Sequence, residues 1–182
     1  MTDGLHARNQ TAFQSALDNV RNLVGSPLAG IDDQEMVDTR HLCTVLSDLI
    51  SLDPVTGAFL FIGPACFFFP RGPLIDARGP FLLSVGTRGN PKWGNLPRKF
   101  NIAVSGSRDD FAHTHINDIG LEPCAHGETG EMGFNVVLGG YMSIKRVAHS
   151  VEGDMWVPAQ VQPVVDVSEA ILRIFRDGVN FK

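Results

Sequence analysis

Two short basic stretches interrupt an acidic chain: DNVRN, Asp18 to Asn22, and NLPRKFN, Asn95 to Asn101. Arg98 and Lys99 are adjacent cations just ahead of an apolar run, and Pro97 constrains the approach to them. Neighbouring cations repel, so a pair held at the edge of a rigid element points to a shared anion such as a carboxylate or phosphate. Spacing alone leaves the alternative of a solvated surface pair open. Lys145 and Arg146 form a third basic patch, of the kind more often solvated.

Three other groupings bear on chemistry. In HTHIND, His113 and His115 are two apart and on a strand would point the same way, with Asp109, Asp110, Asp118, Cys124 and His126 near them in sequence. The pair-and-pair spacing of a zinc site is absent, which favours surface or hydrogen-bonding histidines. GFNVVLGGYMSIKR carries Gly139 and Gly140 after an apolar run without the spacing of a phosphate-binding or dinucleotide-binding loop. The two glycines would still let the backbone approach a large planar ligand. Cys43 reads as a small buried hydrophobe, and no Ser/His/Asp or Cys/His nucleophile pattern is assignable.

Composition narrows the classes further. The chain has 182 residues, 43% of them apolar, as expected of one globular domain with a sizeable core. Fifteen basic and twenty acidic residues give a net charge of −5, so neither nucleic acid nor an anionic membrane is an expected partner, and any anion site must be a local cluster. Three cysteines, Cys43, Cys66 and Cys124, build neither a disulfide framework nor a four-cysteine metal or cluster site. The polar N-terminus resembles no secretory signal. The longest apolar run, Ala58 to Phe69, is broken by Gly63 and Pro64 and is too short to span a bilayer.

These groups need elements to position them. The pattern from Asp33 to Leu52 predicts a helix with acidic residues in its first turn and Leu42, Val45, Leu46, Leu49 and Ile50 at helical spacing. Before it, Phe13 to Asn22 is a short helical or extended piece followed by a loop. Apolar runs at Ile102 to Val104 and Phe134 to Leu138 predict strands joined by tight turns. A last helix is expected from Val164 to Arg176, with Asp177 and Gly178 closing it. Between these parts, Ala58 to Thr87 holds half of the twelve phenylalanines and only three charged residues, Arg71, Asp76 and Arg78, and fits neither period.

In order along the chain, DNVRN, VGSPLAGID, VDTR, WGNLPRKFN, HINDIG and GFNVVLGGYMSIKR resemble the siroheme and [4Fe-4S] nitrite and sulfite reductases, nearest to the ferredoxin-dependent nitrite reductases. The resemblance spans Gln14 to Asp53 and Gly89 to Gly178. It implies an α+β fold, a mixed sheet with flanking helices, and six-electron reduction of nitrite to ammonium, or of sulfite to sulfide, at a siroheme linked to a [4Fe-4S] cluster. By motif, Arg21 and Lys99 would face the substrate. Arg98 would pair with a siroheme carboxylate, with Asn101 beside it on the cofactor side. Asn101 also bears on substrate choice, because sulfite reductases of this family usually carry a second lysine there, and nitrite has less negative charge than sulfite. Ferredoxin is the implied electron donor. The implied compartment is the plastid stroma in a photosynthetic eukaryote and the cytoplasm otherwise.

The departures are as informative. Ala16 stands where the family usually has glycine. The four cluster cysteines, in C-x5-C and C-x3-C pairs, would lie downstream of Lys182, so the chain reads as a central fragment, inactive alone, with a non-catalytic tetrapyrrole- or anion-binding module as the alternative. The expected parts are residues 1–57, ending a first ferredoxin-like half with its linker; 58–87, an atypical insertion; and 88–182, part of the siroheme and cluster domain. The low charge and irregular Phe, Pro and Gly content of 58–87 suggest intronic sequence read through in frame, which a spliced transcript retaining those codons would refute.

Overall fold

The computed structural model describes residues 20–51, 90–93, 96–143 and 146–178. Phe13 to Asn19, the Phe-rich stretch 58–87 with Cys66, and Lys145 lie outside them. Five strands form one sheet in the order β1-β2-β3-β4-β5: Val20–Gly25, Phe100–Val104, Ile119–Ala125, Met132–Ser143 and Arg146–Pro158. β1, β2 and β3 run parallel, and β3, β4 and β5 are antiparallel neighbours. Two helices, α1 (Arg40–Ser51) and α2 (Val161–Gly178), complete the α+β fold expected from the resemblance.

The helices cover one face of the sheet. Leu42, Leu46 and Ile50 recur every fourth residue on α1, as do Val164, Ser168 and Leu172 on α2, and all six are buried. The apolar members of these two stripes pack with Phe100, Ile102, Val104, Ile119, Leu121, Phe134 and Val136 in one core. The Phe100 and Phe175 rings tie β2 to α2, with centroids 4.9 Å apart. Period-two alternation sends Ala103, Gly120 and Val137 to the other face, where the crossover from β2 to β3 lies over them with its 3-10 turn, Thr114–Ile116.

α1 starts at Arg40, later than expected, and its first turn carries no acidic residue. The acidic side chains upstream close turns instead: Asp32 Oδ1 accepts the Gln34 amide at 2.9 Å and Glu35 Oε2 accepts the Gly30 amide at 2.9 Å. The amides of Met36 and Val37 donate to the Gly106 carbonyl, which takes them out of any helical ladder. Thr39 then begins the helix, its carbonyl accepting the Cys43 amide at 2.9 Å. At the other end, Asn90 comes from far along the chain to donate to the Ile50 carbonyl through its amide (2.8 Å) and to the Leu49 carbonyl through its side chain (3.1 Å).

α2 begins three residues before the expected Val164, because Pro163 falls in the first turn, where its missing amide costs no ladder bond. Gly178 is its last residue rather than a cap beyond it. The expected strands at 102–104 and 134–138 lie inside the longer β2 and β4. Of the piece expected around Phe13 to Asn22, the described residues Val20 to Asn22 are extended, in β1.

Candidate functional site

The parallel register of β1 on β2 builds the site. Val20 lies opposite Phe100 and Asn22 opposite Asn101, so β1 spends two steps where β2 spends one. Arg21 is the extra residue of this bulge, a device that re-aims one residue out of a ladder. It therefore stands beside the start of β2, next to which come Arg98 and Lys99. Residues from two distant parts of the chain, Arg21 with Arg98, Lys99 and Asn101, meet at one end of two adjacent strands.

Phe100 is buried against α2, while Asn101 belongs by alternation to the opposite face with Ala103. Arg98 is exposed and Lys99 half-buried. Among the described residues neither has an ion-pair partner, whereas Arg40, Lys92, Arg173 and Arg176 all do. A half-buried ammonium that makes no ion pair among the described residues is suited to an external anion.

The row continues across the sheet. The Asn101 amide donates to Asp118 Oδ2 at 2.7 Å, and the Asp118 carbonyl accepts the Gly139 amide at 3.0 Å. Gly139 has φ of 65° and nothing within 4 Å of where a Cβ would stand, so bare backbone faces open space here, as a flat ligand would require. Gly140 differs from the expectation of ligand approach. A Cβ on it would come within 2.3 Å of the Asn117 carbonyl oxygen and 2.7 Å of the His115 carbonyl oxygen, so the chain's own crossover fills that space.

The histidine pair is also rearranged. His113 is exposed with φ of 53° and begins the 3-10 turn, so it does not share a strand face with His115. His115 is hydrogen-bonded, as the spacing favoured, with Nδ1 2.6 Å from Ser150 Oγ and Nε2 3.0 Å from Glu122 Oε1. Glu122 Oε1 also accepts from Thr114 Oγ1 at 2.7 Å. This network was not visible in the sequence, because Glu122 and Ser150 lie on β3 and β5 and only the sheet brings them to the turn.

The donor set separates the two implied prosthetic groups. Exposed Arg98, half-buried Lys99 and the open backbone at Gly139 suit the carboxylates and flat face of a tetrapyrrole. An iron-sulfur cluster finds no ligand set here, since no group of three or more His, Cys, Asp or Glu among the described residues could hold a metal ion. Cys43 sits on α1 with its thiol pushed up to about 11 by burial, the behaviour of a packed hydrophobe, and Cys124 stands apart on β3. No helix among the described residues is long and apolar enough to cross a membrane.

A mixed sheet flanked on one face by two helices, with Arg98 and Lys99 just ahead of β2 where it pairs with β1, defines the class: an α+β piece with positive charge at one end of two parallel strands. Residues 71–181 match the family model for the nitrite and sulphite reductase 4Fe-4S domain, and the chain belongs to that family. It is 39% identical over 174 residues to the ferredoxin–nitrite reductase of Synechococcus elongatus, covering 96% of this chain and 27% of that protein. It is likewise 39% identical over 175 residues to the chloroplastic ferredoxin–nitrite reductase of Oryza sativa subsp. japonica, covering 96% of this chain and 23% of that one. The solved NirA protein of Mycobacterium tuberculosis shares the fold, with a TM-score of 0.57 at 24% identity over 90% of this chain and 22% of that one. The chain spans about a quarter of the length of the curated relatives it matches.

Proposed function

We propose that the chain is part of an assimilatory, ferredoxin-dependent nitrite reductase and supplies the cationic face that binds nitrite and siroheme. The observation that carries this is the β1–β2 register, which brings Arg21 and Asn101 together beside Arg98 and Lys99, neither of which makes an ion pair among the described residues. The names of the relatives support nitrite as substrate and ferredoxin as electron donor. The chloroplastic names of the plant relatives support a plastid setting for a plant protein.

Siroheme, when bound, supplies the iron at which nitrite is reduced by six electrons. Arg21 and Lys99 would hold the nitrite oxygens and draw charge from the N–O bonds. Arg98 pairs with a siroheme carboxylate, where a guanidinium fork binds in two-point fashion. Asn101 contributes no charge, which suits a monoanion better than a dianion. The described residues provide no ligands for the cluster.

The test is a siroheme titration of the 182-residue chain followed by absorbance. Saturable binding that weakens by about tenfold in Arg98→Ala supports the reading, the loss expected for one charged contact. Binding indifferent to that substitution refutes the role of Arg98, and no binding at all refutes the site.

A further inference from the structure

The cations of the site share their row with a carboxylate. Asp118 ends the crossover, and the β2–β3 ladder begins one residue later, with Ile102 opposite Ile119. At the level of Asn101, the carboxylate of Asp118 takes the place of a strand partner and accepts the Asn101 amide at 2.7 Å. Such a charge-assisted bond is stronger than the neutral ladder bond it replaces. The main-chain oxygen of the same residue accepts the Gly139 amide at 3.0 Å. One residue thus ties the starts of β2 and β3 to Gly139 on β4.

Lys99 lies directly before two fixed positions. Phe100 is wedged against Phe175, and the Asn101 amide is held by Asp118, so the backbone that presents Lys99 has little freedom at either. We propose that Asp118 is a positioning residue of the anion site: it holds the start of β2 so that Lys99 and Asn101 keep a common geometry toward the bound anion. The contact stands on its own; its purpose rests on the functional reading above.

Two measurements on the 182-residue chain test this. In the first, sodium nitrite is titrated into the siroheme-loaded chain, wild type, Asp118→Ala and Asp118→Asn, and followed by siroheme absorbance. Asp118→Ala is expected to weaken nitrite binding by about tenfold with siroheme affinity within about twofold, and Asp118→Asn, which keeps an acceptor oxygen, to stay within about threefold. In the second, amide hydrogen exchange is read without siroheme. The Asn101 amide should exchange at least about tenfold faster in Asp118→Ala, while the Gly139 amide, bonded to the main chain, keeps its rate. Three results overturn the proposal: an alanine variant that binds nitrite as well as or better than wild type, an asparagine variant as weak as alanine, or unchanged Asn101 exchange. A wild-type chain that takes up no siroheme sinks the functional reading instead, and the exchange comparison alone then decides whether Asp118 holds Asn101.

Discussion

At the scale of single residues, the site is a matter of which charges are already spent. Arg40 is paired with Asp38, Arg173 with Glu169 and Arg176 with Asp177, while Lys92 pairs with Glu169 and lies over Trp93. Arg98 and Lys99 make no such pair among the described residues. Lys99→Ala or Arg21→Ala in the assembled reductase should therefore cost about a hundredfold in turnover while siroheme stays bound, as expected when a charge aimed at the reacting anion is removed. Steady-state nitrite kinetics alongside the siroheme absorbance check this, and unchanged kinetics in both would end the assignment. The basic pair was legible in sequence because Pro97, Arg98 and Lys99 are contiguous. Asp118 was legible as a member of HINDIG and as an acidic neighbour of the histidines, but nothing beside it announces a hydrogen bond to Asn101, seventeen positions away.

At the scale of elements, the informative failures share one cause: tertiary partners replaced local periodicity. The acidic run before α1 reads as a helix start, yet its amides find Gly106 and its carboxylates find turns. β3 and β5 escaped notice because Pro123 interrupts one and charges and Gly153 dilute the other, while pairing with β4 sustains both. The glycine pair of β4 shows what such dependence costs. Gly140→Ala should lose about 2 kcal/mol, because the added methyl meets backbone of the crossover that has nowhere to move. Gly139→Ala faces open space and should lose about 1 kcal/mol through its left-handed backbone alone. Denaturant midpoints of the two variants test the order, and a Gly140→Ala chain as stable as Gly139→Ala would show that the crossover yields.

At the scale of the molecule, distant segments are fastened by ion pairs as well as by the sheet. Glu169 on α2 receives Lys92 and Arg173 together, and these two cations hold its carboxyl below the usual glutamate range, Lys92 contributing most. A carboxylate whose folded value is depressed adds stability above its unfolded value and loses it as pH falls through the folded one. Glu169→Gln should therefore lower the melting temperature at neutral pH, with the difference from wild type fading once both are held below that range. Thermal melts across an acid series read this directly, and a pH-independent difference would assign the effect to packing of the side chain.

The lone parallel neighbour of β2 on its outer side is β1, residues 20–25, whereas the stretch recognised by the family model begins at residue 71. The unit of recognition and the unit of folding are thus offset. Cutting or grafting 71–181 would strip a paired strand and leave the amides and carbonyls of β2 as a bare margin, ready to template another chain. The same cut would carry away Arg21, so the boundary that looks natural in a comparison of sequences runs through the middle of the proposed anion site.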